Sequence, residues 1–263
     1  MATGKKYNVP ALEKAIAIIE TLSQREEPVG VSDLCKLVDI PKTSVFFILN
    51  TLEQHQYIIK SPDGKYSLGS KFIHIGLSTL NRIDIRTAAR VSMERLLGET
   101  GFTVHLAILD NFEPMYIEKV ESQAFVKFAS YIGQRQPLHA SGVGKALAAF
   151  MPQDLLEQAI REKGLPEKTE KTLTNVHDFM AEIEAIRRQG YAVEDEEGEA
   201  GVRCIGAPVF DHYGQLKAAV SITALRTELP IHDIPDVSEK VKRAALDISR
   251  QLGYVQTLEP ELN

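Results

Sequence analysis

Residues 31–68 constrain the fold more than any other stretch. Two short amphipathic segments, Val31 to Val38 and Val45 to Leu52, are separated by Asp39-Ile40-Pro41-Lys42-Thr43-Ser44, and a compact hairpin pattern from Tyr57 to Leu68 follows at once. Val31, Leu34, Cys35 and Val38 recur at i, i+3, i+4 and i+7, and Val45, Ile48, Leu49 and Leu52 repeat the spacing. Each helix therefore offers one apolar stripe to a shared small core. Pro41 suits the first turn of the second helix, where a missing N–H costs nothing. In the hairpin, Pro62-Asp63-Gly64 is a turn with a mechanism, since Pro presets φ and Gly tolerates φ > 0. This order predicts a winged helix-turn-helix, and with it DNA binding.

On a helical wheel, the face opposite the second stripe carries Thr43, Phe46, Phe47, Asn50 and Gln54, with Lys42 and Ser44 at the amino end. Side chains there can reach base edges, and a helix N-terminus favours a phosphate. The expected DNA contacts are Lys42, Thr43, Ser44, Phe47 and Asn50 from the helix, with Lys60 and Lys65 beside the wing turn. The alternative is a packing unit or a protein-docking module. Charge favours DNA modestly: residues 1–90 hold 12 Lys and Arg against 9 Asp and Glu, the remainder 18 against 27, within a total of −6.

At 263 residues, 44% hydrophobic and 25% charged, the chain has room for two cores. No apolar run approaches the roughly 18 to 20 residues of a membrane span, and the Lys-containing start lacks a following apolar region. The expectation is a cytoplasmic protein with no membrane partner. Cys35 and Cys204 provide neither a disulfide framework nor a CxxC metal spacing.

Val9 to Gln24 reads as a helix packed behind the helix-turn-helix, Ser70 to Arg82 as a linker helix, and Ile85 to Thr100 as another helix. Beyond it the period changes to two. Phe102 to Leu109, Met115 to Val120 and Phe125 to Ile132 read as strands, as do Tyr191 to Glu194, Val202 to Phe210 and Gln215 to Thr223. Gly142 to Met151, Pro152 to Lys163, Val176 to Gln189 and Val237 to Leu252 read as helices. Without a βαβ rhythm, this mixture predicts an α+β domain on a mostly antiparallel sheet.

Ser141 to Lys145 is a Gly-rich turn opening a helix, which directs backbone N–H groups and the helix dipole toward an anion. It is not a nucleotide P-loop, because GxxxxGK[ST] would require Gly at His139 and Ser or Thr at Ala146. A small carboxylate is the expected anion. The alternative is that Gly142 and Gly144 serve only tight packing. Ser221 and Thr223, two apart on a strand, direct both hydroxyls to one side.

Several stretches together resemble the IclR family of bacterial transcriptional regulators over nearly the whole length. They are Val9 to Ala15, Lys42-Thr43-Ser44-Val45 with Leu49-Asn50-Thr51-Leu52, Lys65-Tyr66-Ser67-Leu68-Gly69, Gln136 to Ala146, Glu194-Asp195-Glu196-Glu197 and Gly201 to Asp211. Relatives often carry Arg or His where this chain has Phe47. The resemblance implies a winged-helix domain at 1–69, a linker helix used in dimerisation at 70–82, a GAF-like effector domain at 83–255 and a tail at 256–263. It also implies an effector pocket formed by the Ser141 turn, the acidic segment, the cysteine strand and the final strand. Those positions fall here on Ser141, Gly142, Val143, Glu194, Cys204, Ser221 and Thr223.

The resulting expectation is a homodimer, extendable to a homotetramer, on a double-stranded operator. A small organic acid in the second domain would modulate operator binding, with repression of a catabolic operon as the default outcome. No cofactor, metal or enzymatic activity is expected. The rival is a thiol-dependent hydrolase using Cys204 with His139 and Asp195, yet Cys204 lies mid-strand rather than on an elbow or helix start. His105 and His139 lack the close-spaced partner that a zinc site requires.

Overall fold

The computed structural model describes residues 9–80 and 84–255. The chain separates into two compact units, Met1–Arg82 and Ile83–Asn263. The tail expected at 256–263 and the end of the linker helix at 81–82 lie outside the described residues.

In the first unit, α1 (Pro10–Ser23), α2 (Val31–Val38) and α3 (Lys42–Gln54) precede a two-stranded antiparallel wing, β1 (Ile58–Lys60) and β2 (Tyr66–Leu68), followed by α4 (Lys71–Leu80). Ile18, Leu22, Leu34, Val45, Leu49, Ile58 and Tyr66 form its core, the stripes that the i, i+3, i+4 spacing marks. Asp39 ends α2 in the left-handed region at φ 48°, the conformation that turns the chain into α3. Pro41 sits one residue earlier than its sequence suggests, as the residue before the first turn of α3 with φ −56° and ψ 138°. The wing closes tightly: Gly64 takes φ +82°, and Gly69 lies so close to the Gln56 carbonyl that a Cβ would come within 2.3 Å of it.

The second unit is a three-layer α+β domain. Its five strands, β3 (Thr103–Asp110), β4 (Glu113–Val120), β5 (Ala192–Asp195), β6 (Val202–Phe210) and β7 (Leu216–Leu225), run antiparallel in the order β4-β3-β7-β6-β5. One face, with Val104, Leu106, Ile205, Val220 and Ile222, packs on α5 (Ile85–Thr100) and α9 (Ile234–Gln251). The other meets α6 (Gly142–Phe150), α7 (Gln153–Lys163) and α8 (Val176–Gln189). Because side chains alternate along a strand, His105, Cys204, Ser221 and Thr223 share the α6 face.

One expected strand is absent. Phe125 to Ile132 forms a loop, with Phe125 fully exposed. The Lys119 ammonium takes the Phe128 and Ser130 carbonyls at 2.9 Å each, so a side chain from β4 satisfies acceptors that a ladder would have used. Of this segment, Phe128, Ala129 and Ser130 line a cavity, while Phe125, Val126, Tyr131 and Ile132 are exposed. α9 also starts earlier than expected, with Pro235 in its first turn.

Candidate functional site

On α3, Lys42, Thr43, Phe47 and Asn50 are exposed and Ser44 is half-buried, while Val45 and Leu49 point inward. In the wing turn, Ser61 N–H donates to the Lys65 carbonyl at 2.8 Å and Gly64 N–H to the Ser61 carbonyl at 2.9 Å. Lys60 Nζ stands 5.5 Å over the Tyr66 ring. Lys65 Nζ lies 3.2 Å from Asp63, both side chains being exposed; an ion pair in water is worth little and yields readily to a phosphate. The unit thus exposes one face of α3 and two wing lysines.

The second unit holds a cavity of about 520 Å³ on the α6 face of the sheet. Ser141, Glu194, Cys204 and Thr223, chosen from four separate parts of the sequence, all line it. Glu194 pairs with Cys204, and Cys204 with Thr223, across β5, β6 and β7. Gly142, Val143 and Ser221 are not among the lining residues. They form the joint that seats α6 on the sheet: a Cβ on Gly206, the register partner of Ser221, would come within 2.3 Å of the Gly142 carbonyl oxygen. Gly144 is equally constrained, its hypothetical Cβ lying 2.5 Å from the Leu138 carbonyl oxygen. Close packing is therefore what both glycines of the turn provide.

The helix start is less open to an anion than its sequence suggests. Ser141 Oγ accepts from the Gly144 N–H at 3.1 Å and donates to the Pro137 carbonyl at 2.7 Å. The Gly142 N–H is directed at the Cys204 sulfur. Lys145 points away from the cavity, with its buried Nζ 2.7 Å from the Val193 carbonyl and 2.8 Å from both Glu182 and Glu197.

A hydrogen-bonded chain crosses the cavity wall. Ser130 Oγ lies 2.7 Å from His105 Nε2, His105 Nδ1 3.3 Å from Thr223 Oγ1, and Thr223 Oγ1 3.5 Å from Cys204 Sγ. The His105 ring stacks on Tyr116 with centroids 4.3 Å apart. Burial, helped by the nearby Lys119 ammonium, pulls the His105 imidazole down to about 3, so it is neutral. Glu194 Oε1 accepts from the Glu197 N–H at 2.7 Å and the Gly198 N–H at 3.0 Å. Burial nonetheless pushes its carboxyl up to about 6. Burial and the Glu194 carboxylate push the Cys204 thiol well above its usual range, which keeps it protonated. Among the described residues lining the cavity, Lys168 is the sole lysine or arginine.

A nucleophilic reading of Cys204 fails on this geometry. The neighbouring Glu194 carboxylate holds the proton on the thiol by like-charge repulsion instead of drawing it off, His105 is neutral and hydrogen-bonded at both nitrogens, and His139 is spent elsewhere. His139 Nε2 lies 3.0 Å from the Pro166 carbonyl and its ring packs edge-on against Phe179. No group of three or more metal-capable side chains occurs among the described residues. Sequence reasoning missed Tyr116, Ser130, Gln134, Gln136, Lys168 and Glu199, which also line the cavity. Strand parity puts Tyr116 on the face of Glu118 and Val120, and only the bulge beside Leu106 and Ala107 turns it toward His105; the loop residues have no periodic signal.

A winged helix-turn-helix followed by a sheet domain with a partly open cavity defines the class of ligand-responsive transcriptional regulators. Within that class, the model of the bacterial transcriptional regulator IclR C-terminal domain matches residues 77–250, and the IclR helix-turn-helix domain model matches residues 11–62. The chain belongs to the IclR family.

It is 34% identical over 247 residues to the Escherichia coli HTH-type transcriptional regulator XynR, covering 94% of this chain and 98% of that protein. It is 31% identical to the E. coli HTH-type transcriptional repressor AllR, covering 92% and 90%. The Thermotoga maritima IclR crystal structure matches at TM-score 0.63 with 33% identity, covering 94% of this chain and all of that one. The Agobacterium tumefaciens repressor BlcR shares the fold at TM-score 0.87 and 23% identity, covering 95% and 99%. These proteins are regulators rather than enzymes, and so is this chain. Among the described residues, no helix is long and apolar enough to cross a membrane.

Proposed function

We propose that this regulator acts in the cytoplasm as a homodimer, extendable to a tetramer, that sets two winged helices on an operator and releases or tightens its grip when a small carboxylic acid enters the 520 Å³ cavity. The convergence of Ser141, Glu194, Cys204 and Thr223 on one partly open cavity carries the reading. The acid's carboxylate pairs with Lys168 at the exposed side, while Thr223, Cys204 and the glutamine side chains bond its other polar groups. An effector shifts an equilibrium only by its differential affinity for the two states, so the acid must bind the DNA-competent and incompetent arrangements unequally. AllR and BlcR are named repressors, which supports repression, here of a catabolic operon.

On the DNA side, Lys42, Thr43, Ser44, Phe47 and Asn50 enter the major groove and Lys60 and Lys65 meet phosphates. The test is a thermal-shift screen of organic and sugar acids on the full chain, followed by operator binding with each hit. One acid should raise the melting temperature and change operator affinity, and Thr223→Val should weaken that acid at least about fivefold. A hit whose affinity ignores Thr223→Val would move the ligand out of this cavity.

A further inference from the structure

The outward face of α3 is polar except for two exposed rings, Phe46 at 49% and Phe47 at 66% exposure, and Phe47 is the more exposed. Phe47 follows Thr43 by four residues and precedes Asn50 by three, so on a helix it stands between them on one face. Its side chain is 66% exposed, and its one ring contact among the described residues is the edge of Phe46, 6.1 Å away. Nothing in the first unit's core needs it, since Val45 and Leu49 supply the inward face of the same helix. A phenyl ring held in water forgoes the transfer free energy that most aromatic side chains realise, so a covering surface is what this position lacks.

The surroundings specify that surface as DNA. Lys42 opens the helix, Lys60 and Lys65 flank the wing, and none of these is buried. In the major groove, the base edges are donors and acceptors with one apolar exception, the 5-methyl group of thymine. A phenyl ring has no fork of donors for guanine and no amide for adenine, but it fits a methyl.

We propose that Phe47 is the specificity-determining residue of the recognition helix and that it reads a thymine 5-methyl group in each half-site. The assignment rests on α3 being the helix that enters the major groove. It makes thymine essential at one symmetric pair of operator positions, with Asn50 and Thr43 reading their neighbours.

The experiment uses the full chain. A random duplex pool is selected for binding, and in the enriched sequence each thymine is replaced in turn by deoxyuridine, which deletes the methyl and keeps every hydrogen-bonding group. Affinities are read by fluorescence anisotropy at fixed salt. One symmetric pair of positions should lose about fourfold for each half-site and about fifteenfold for both, because a methyl-sized group is worth about 0.8 kcal/mol and 1.4 kcal/mol is a decade. Phe47→Ala, an exposed position whose melting curve should match the wild type, should bind the thymine site about as weakly as wild type binds the deoxyuridine site and should no longer distinguish the two. Phe47→Leu should keep part of the discrimination. A Phe47→Ala protein with the wild-type ratio at every position would overturn the assignment, as would a wild-type protein with no deoxyuridine-sensitive thymine. A pool with no enriched sequence would instead sink the role of α3, and this assignment with it.

Discussion

Replacing Lys145 by Met would test how the cavity wall is held. Its ammonium is 1% exposed and binds the Val193 carbonyl at 2.7 Å and the carboxylates of Glu197 and Glu182 at 2.8 Å. Met fills a similar volume, so the loss is electrostatic. Glu182, with 31% side-chain exposure, can turn to water, but Glu197, with 11%, cannot, and its Oε2 already lacks a protein partner. Removing one member of a buried pair costs about 3 to 5 kcal/mol. At roughly 2 to 4 °C per kcal/mol for a unit of this size, melting should fall by roughly 6 to 20 °C. Burial holds the Glu197 carboxyl above its ordinary range even with Lys145 present. Without Lys145 that rise grows, so the folded state favours a proton there more than the unfolded chain does. Such a group stabilises at low pH and loses that contribution as pH rises through its folded value. The gap to wild type should therefore be wider at pH 8 than at pH 5. Urea unfolding followed by circular dichroism at both pH values measures it, and the double variant Lys145→Met/Glu197→Gln should recover at least half the loss at pH 8. A double variant no better than the single one would show that the penalty is lost packing rather than an unpaired charge, and would refute the reasoning.

Glu194→Gln should be more stable than wild type by up to about 2 kcal/mol at pH 8 and equal to it below pH 4.5, because the folded carboxyl titrates near 6 rather than 4.5 and one unit is about 1.4 kcal/mol; denaturant midpoints across that range check it. In wild type, an anionic effector should bind more tightly as pH falls toward 6, where Glu194 becomes neutral, and calorimetry that shows no such trend, or the same trend in Glu194→Gln, would separate the ligand from this carboxyl. Lys60→Ala should weaken operator binding on all sequences and reduce the log–log salt slope by about one unit for each phosphate contact removed, so identical slopes would take the wing off the backbone. Gly206→Ala should destabilise the second unit by about 1 to 3 kcal/mol through its clash with the Gly142 carbonyl, read as a lower denaturant midpoint. Cys204→Ser should leave operator affinity within about twofold and alter only the effector response, and a large loss of DNA binding would give this thiol a structural role.

What the sequence made legible, and what it hid, follows from the range of the forces involved. The bounds of α2, α5, α8 and β6 can be read directly, because caps such as Asp84 and Asn175 and the glycines at 101 and 190 act within one turn of the chain. The Phe125 to Ile132 loop misleads for the opposite reason: its apolar and aromatic residues suggest a strand, but two of its carbonyls are claimed by Lys119, an ammonium whose position only the folded sheet defines. The cavity divides in the same way. Ser141, Glu194, Cys204 and Thr223 are reachable through the family resemblance, and three strands bring the last three of them into register beside the start of α6. His105 is visible as a histidine but not as a neutral cavity wall, since its state depends on burial and on Ser130 from a nonperiodic loop. The same logic explains the helix start. Gly142 and Gly144 look like an anion nest in one dimension, yet in three dimensions the Ser141 hydroxyl takes the Gly144 N–H and both glycines are packed too closely for a side chain. For the acid proposed above, the charges met in this cavity are those of Lys168, Glu194 and Glu199 rather than the helix dipole, so the pH dependence of effector binding bears directly on ligand class.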